Sequence, residues 1–153
     1  MSKSAARPVL AASIAVFRDD GLVLLARRGA APMAELWSLP GGKVEAGETM
    51  ADAALRELRE EVGVEAEMIG FNDHVEYIQR DAAGAVAAHF VIASFVGRWR
   101  AGEPTPGPEA SAVAWVDPFE PGDLAMTRGL PAILRRAAVI AAKATAPEGP
   151  DSG

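Results

Sequence analysis

The residues best suited to chemistry in this chain are carboxylates crowded into one short stretch, Glu57, Glu60 and Glu61. On a helix Glu57 and Glu61 stand one turn apart on one side, and Glu60 lies further round towards solvent. Like charges at that spacing repel and weaken a helix by roughly a few tenths of a kcal/mol. Arg56 is placed to relieve Glu60 at i+4, whereas nothing within the helix is expected to relieve the Glu57–Glu61 pair. A hard divalent cation would do so. Mg²⁺ takes oxygen ligands, keeps several waters, and binds through a few carboxylates together with substrate phosphates. The rival reading is an acidic helix face solvated by water. Against it stands a glycine-rich segment at fixed offset before the cluster, Gly41-Gly42-Lys43-Val44-Glu45-Ala46-Gly47-Glu48.

The elements that must position these groups are legible around them. Glycines 41, 42 and 47 predict a loop, because a regular element would waste their backbone freedom. Thr49 and Asp52 form a capping-box-like helix start, and Gly63 sits where a left-handed C-cap belongs. Ala51, Leu55, Leu58 and Val62 fall on one stripe that can face a core. Upstream, Val9 to Arg18 reads as a buried strand, Asp19-Asp20-Gly21 as a turn, and Leu22 to Arg27 as the returning strand. Residues 29–36 read as a loop and Trp37 to Pro40 as a short extended piece. Downstream, Ala66–Gly70, His74–Gln79, Ala85–Arg98 and Ser111–Val116 read as strands, with a turn at Asp81–Gly84, a flexible loop at 101–109 and a second loop at 118–126. Thr127 is placed to cap a helix from Arg128 to about Lys143, with Pro131 in its first turn. The order predicts an α+β fold, an α/β/α sandwich with a mixed sheet between helices. Residues 1–8 read as a flexible N-terminal tail, 9–145 as a single domain, and 146–153 as a disordered tail.

Composition narrows the classes. With 153 residues, half of them apolar, the chain suits one domain with a real core. No apolar run approaches the ~20 residues of a membrane span, so no membrane partner is expected. The Val9–Phe17 segment is too short for a secretory signal and lacks a cleavage site. The absence of cysteine excludes disulfides and thiol catalysis and fits a cytoplasmic location. A net charge of −6 argues against a nucleic-acid polymer as partner. A nucleotide-type small-molecule substrate stays compatible, because a bound metal inverts the local charge logic; a homodimer is left open.

The full spacing runs Gly42, five residues, Glu48, seven residues, Arg56-Glu57-Leu58, one residue, Glu60-Glu61, one residue, Gly63-Val64. It resembles the Nudix box, with all nine defining positions filled across 23 residues, a far more specific match than a lone glycine triplet. The resemblance implies a Nudix hydrolase with the Nudix fold, a loop–helix–loop that binds Mg²⁺ or Mn²⁺, and cleavage of a nucleoside diphosphate linked to another moiety. It implies Glu57, Glu60 and Glu61 as metal ligands and catalytic carboxylates, with the Gly41 carbonyl as a fourth ligand. Glu57 or Glu60 is then a candidate general base, and Glu109, on the loop before Trp115, is the rival candidate. Glu48, Arg56, Gly42 and Gly63 take structural roles in the box, an Arg–carboxylate fork holding loop to helix.

Outside the box, Arg27-Arg28, Trp37, Pro40-Gly41-Gly42, the Asp81–Gly84 turn, His89-Phe90-Val91 with Phe95, and Pro108-Glu109 follow in an order similar to the ADP-ribose pyrophosphatase-like branch. On that likeness Arg27, Arg28, Trp37 and Gly42 are substrate-binding candidates, and Arg27 is preferred because guanidinium matches phosphate geometry. Trp37, Tyr77 and Phe71 default to packing, and His74 and His89 form no metal-spaced pair. ADP-ribose or a similar compound is therefore the favoured substrate. A housecleaning hydrolase of oxidised or non-standard nucleoside triphosphates is the alternative. A non-catalytic Nudix-fold nucleotide sensor is the alternative of another class, and an isopentenyl-diphosphate isomerase is set aside for want of a cysteine.

Overall fold

Alternating residues of the first strand, β1 (Val9–Phe17), divide the core between two layers. Ala12, Ile14 and Val16 pack on one side with Ala53, Ala54, Leu58 and Val62. Ala15 and Phe17 pack on the other with Leu130, Leu134 and Ala137. The period-two alternation of a strand puts successive side chains on opposite faces, so one strand serves both layers. The computed structural model describes residues 6–30 and 33–145. The expected tails at 1–5 and 146–153 lie outside the described residues, and 6–8 carry no regular structure.

The remaining strands are β2 (Val23–Arg28), β3 (Trp37–Ser38), β4 (Gly41–Lys43), β5 (Glu65–Arg80), β6 (Val86–Ala101) and β7 (Ala110–Val116). They form one mixed sheet in the order β3-β2-β1-β6-β5, with β4 joined to β1 and β7 to β2. β1 and β6 run parallel from Val9↔Phe90 to Phe17↔Arg98, and the other named pairings are antiparallel. Helix α1 (Met50–Val62) covers one face and α2 (Leu130–Thr145) the other. The α/β/α sandwich expected from the sequence is the observed fold. Among the described residues no helix is long and apolar enough to cross a membrane.

The ends of α1 fall where the sequence puts them. Thr49 Oγ1 accepts the Asp52 N–H at 3.0 Å, and Gly63 adopts φ +73° with its N–H donating to the Arg59 carbonyl. The buried positions are Ala53, Ala54, Leu58 and Val62, while Ala51 and Leu55 of the expected stripe are only partly buried at its edge. Two small alanines let the helix axis settle close to the sheet.

Three expectations change. Gly41–Lys43, read as loop, is strand β4, paired with Ser13, Ala12 and Ala11. A Cβ at Gly41 would sit 2.3 Å from the Ala12 carbonyl oxygen, so the glycine serves close approach rather than flexibility. The two strands expected at 66–70 and 74–79 are one strand, β5, whose register shifts at Met68/Gly70 and Phe71/Asp73. Those bulges interrupt the alternation by which a strand is read. Finally, α2 begins at Leu130 rather than Arg128, because Gly129 takes φ +82°, outside the helical region.

Candidate active site

Arg56 organises the start of the site. Its Nε and Nη2 donate to the two Glu48 carboxylate oxygens at 2.7 and 2.9 Å, and Nη2 also reaches the Lys43 carbonyl at 3.0 Å. This is the loop-to-helix fork the sequence predicts. Glu48 in turn accepts the Glu45 N–H, and the Arg56 bonds, with that one, hold its carboxyl down at about 2. The sequence reading left Glu57 unrelieved, and the structure corrects this. Arg56 Nη1 donates at 3.1 Å to both Glu57 and Glu60. Neighbouring side chains on a helix do not ordinarily face each other, but a planar guanidinium anchored at one edge turns its other edge to both.

Glu57 lies against the backbone of β4. A Cβ on Gly42 would come within 2.4 Å of the Glu57 carboxyl carbon, so this position admits no side chain while Glu57 stays in place. Burial pushes the Glu57 carboxyl up, and Arg56 opposes the shift. Glu61 goes further, to about 7, first through burial and then through the charges of Glu57 and Glu109, with a Gly41 backbone hydrogen bond and Arg28 working the other way.

Glu109 reaches the site along a loop that is fixed, not flexible as its composition suggests. Thr105 N–H donates to the Val62 carbonyl at 3.0 Å and Gly29 N–H to the Glu109 carbonyl at 3.1 Å. A Cβ at Gly107 would lie 2.3 Å from the Glu61 carbonyl oxygen. The loop thus takes up the Val62 carbonyl, one of those that the end of a helix leaves without partners.

These groups share one cavity of about 600 Å³. Arg27, Arg28, Gly41, Glu57, Glu61 and Glu109 line its charged end. Val75, Tyr77, Phe90, Ile92, Ser94 and Ile133 also line it, and Lys43 and Arg128 add two further cations to the wall. Arg27 Nε donates to Ser111 Oγ at 2.8 Å and lies 3.6 Å from Glu35, so β7 and the 33–36 turn steady it. In that turn Met33 and Glu35 hold φ of 62° and 71°, a conformation strained for residues with side chains.

A family model described as NUDIX domain matches residues 7–136. The chain belongs to the NUDIX family. A MutT NUDIX hydrolase from Burkholderia pseudomallei superposes with a TM-score of 0.73 at 30% identity, covering 85% of this chain and 98% of that one. Among curated relatives, the CTP pyrophosphohydrolase of Escherichia coli is 42% identical over 73 residues, 47% of this chain and 52% of that protein. The 8-oxo-dGTP diphosphatase of Escherichia coli is 40% identical over 60 residues, 39% of this chain and 46% of its own. The ADP-ribose pyrophosphatase of Methanocaldococcus jannaschii is 30% identical over 102 residues, 67% of this chain and 58% of its own. The chain thus spans about half the length of these curated relatives.

Of the NUDIX site residues read from sequence, the cavity gathers Arg27, Arg28, Gly41, Gly42, Glu57, Glu61 and Glu109. It does not gather Glu60, whose exposed carboxylate stays on Arg56, or Trp37, which packs in the α2-side core with the Arg27 guanidinium 6.0 Å from its ring. Neither histidine lines it; His74 is exposed beside Asp73 and Glu76. Sequence reasoning missed Ser13 and Ser94 and assigned Tyr77 to packing alone, yet all three line the cavity. The signal was a lone serine inside an apolar run in each of two strands, Val9–Phe17 and Phe90–Val96.

Among the described residues no three acidic or imidazole side chains are already drawn together at metal-coordinating spacing. The donor set nevertheless suits a hard divalent cation. Glu57, Glu61 and Glu109 share one cavity with the Gly41 backbone, and burial, then repulsion by Glu57 and Glu109, keeps Glu61 reluctant to ionise, a penalty that positive charge would offset.

Proposed function

We propose that this protein is a divalent-metal-dependent pyrophosphohydrolase acting on nucleoside triphosphates, with oxidised or non-standard ones in a housecleaning role. The observation that carries it is one cavity whose lining divides between carboxylates and arginines on one hand and apolar and aromatic side chains on the other. That division matches a substrate with a polyphosphate tail and a flat, weakly polar head.

Glu57, Glu61 and the Gly41 carbonyl would hold Mg²⁺ or Mn²⁺, with Glu109 or an extended Glu60 completing the set. Bound there, the ion would neutralise charge developing on phosphoryl oxygens and lower the pKa of a coordinated water. Arg27 and Arg28 grip phosphate oxygens. Gly42, lacking a side chain, leaves Glu57 room to keep its position. The carboxylate not taken up by the metal, Glu109 where Glu60 completes the set or Glu60 where Glu109 does, accepts the proton of the attacking water. The water oxygen joins a phosphorus, the bridging P–O bond breaks, and a nucleoside monophosphate and pyrophosphate leave.

Support for triphosphates over ADP-ribose comes from the relatives named for CTP and 8-oxo-dGTP, at 42% and 40% identity against 30%. This reverses the preference drawn from the residues flanking the box. ADP-ribose stays the second reading, favoured by the longer stretch of chain it matches. A non-catalytic sensor would have no use for the complete carboxylate set. One nucleotide panel with Mg²⁺ and Mn²⁺ and product identification tests the proposal. Pyrophosphate released from a triphosphate faster than AMP and ribose 5-phosphate from ADP-ribose supports it; the reverse order overturns it.

A further inference from the structure

Ser94 lies on β6 and is 1% exposed, yet its hydroxyl has no hydrogen-bond partner and it lines the cavity. A buried hydroxyl without a partner is costly, so native proteins rarely keep one without a use. Its surroundings suggest the use. β1 pairs with β6 through Ser13↔Ser94, so two serines sit side by side on the sheet. On the same face, further along the strands, lie Ile92 opposite Val75 and Phe90 opposite Tyr77. The Tyr77 and Phe90 rings are 6.4 Å apart and tilted by 32°. The charged end begins on β4, where Gly41 is paired with Ser13. Crossing β4, β1, β6 and β5 at roughly 4.8 Å per strand spans about 14 Å, long enough to seat a nucleotide from phosphates to base.

We propose that Ser94 is the base-reading residue of this site, its hydroxyl bonding the edge of a nucleobase laid along the sheet beside Tyr77 and Phe90. The inference rests on the nucleotide reading above and deepens it. A hydroxyl both donates and accepts, so it can meet an exocyclic amino group or a carbonyl, and Ser13 stands next to it for a second contact. The base supplies what the buried oxygen lacks, and the apolar neighbours Ile92 and Val75 exclude competing water.

Binding of reaction products separates this inference from the choice of substrate. Kd values of wild type and Ser94→Ala are measured by calorimetry for CMP, GMP and AMP, with ribose 5-phosphate as the probe that lacks a base. The Ser94→Ala variant should bind the preferred monophosphate about tenfold more weakly and ribose 5-phosphate unchanged. Its ligand-free Tm should rise, because an unsatisfied buried hydroxyl is gone. In turnover the loss should appear in KM more than in kcat. Equal affinity of the two proteins for every monophosphate, or an equal loss for ribose 5-phosphate, overturns the inference. A wild type that hydrolyses ADP-ribose but no triphosphate overturns the substrate reading instead, and the monophosphate comparison still decides the role of Ser94.

Discussion

Replacing Glu61 by glutamine in metal-free protein measures what the crowded carboxylates cost the fold. The Glu61 carboxyl is pushed from 4.5 to about 7 by burial and by Glu57 and Glu109. The folded chain therefore keeps a proton that the unfolded chain releases, and stability falls as pH rises through the window from 4.5 to about 7. At about 1.4 kcal/mol for each tenfold change in proton affinity, the ceiling on that loss is about 3 kcal/mol. Glutamine has nearly the same shape and does not titrate. In excess chelator, urea unfolding should find the two proteins within about 1 kcal/mol of each other near pH 5, and Glu61→Gln the more stable by about 2–3 kcal/mol near pH 8.5. Added Mg²⁺ should then favour the wild type, since a ligand that binds only the folded state stabilises it. A stability difference that does not change with pH would refute the reasoning, because Glu61 would then ionise as freely folded as unfolded.

Other perturbations address neighbouring parts of the site. Turnover should vanish in excess chelator and return with Mg²⁺ or Mn²⁺; hydrolysis undiminished by chelator would remove the metal from the account. Glu57→Gln and Glu61→Gln should each lower kcat by about 100-fold or more, with the double variant little worse. Glu60→Gln, whose carboxylate lies outside the cavity, should cost less, and equal mild losses at all three would mark a merely solvated face. Gly42→Ala should drive its Cβ into the Glu57 carboxyl, 2.4 Å away in the present packing; a circular dichroism spectrum like wild type with kcat down more than about tenfold is the expected pair of results. Glu48→Gln, which weakens the fork to Arg56, should lower the urea midpoint more than the rate, and an unchanged midpoint would deny the fork its structural role.

Helix α1 and its caps were legible in the sequence because every determinant is local: a Thr, an Asp, a spaced apolar stripe and a Gly. β4 was not, because Gly41 and Gly42 show no alternation to read, and what makes them a strand is close contact with β1. β5 was broken in two by its own bulges. The box residues were found by spacing, yet the Arg56–Glu57 bond was missed, since it depends on how Glu48 and Lys43 pin one edge of the guanidinium. The cavity is the least legible part. Its far wall draws Ser13 from β1, Tyr77 from β5, Ser94 from β6 and Ile133 from α2, residues whose meeting only the folded sheet decides.

The loop that carries Glu109 has a consequence for how this chain can vary. Surface loops generally accept insertions and deletions, because little depends on their length. Residues 102–109 are held at Val62 by Thr105, against the Glu61 carbonyl by Gly107, and at Gly29 by Glu109. The stretch between those anchors acts as a gauge between the end of α1 and the start of β7. One residue added or removed would move Glu109 along the cavity wall relative to Glu61, and any side chain at Gly107 would press on the helix that carries Glu61. Length changes in this chain belong instead at the Asp81–Gly84 turn, where the β5–β6 hairpin closes in solvent and none of those anchors is involved.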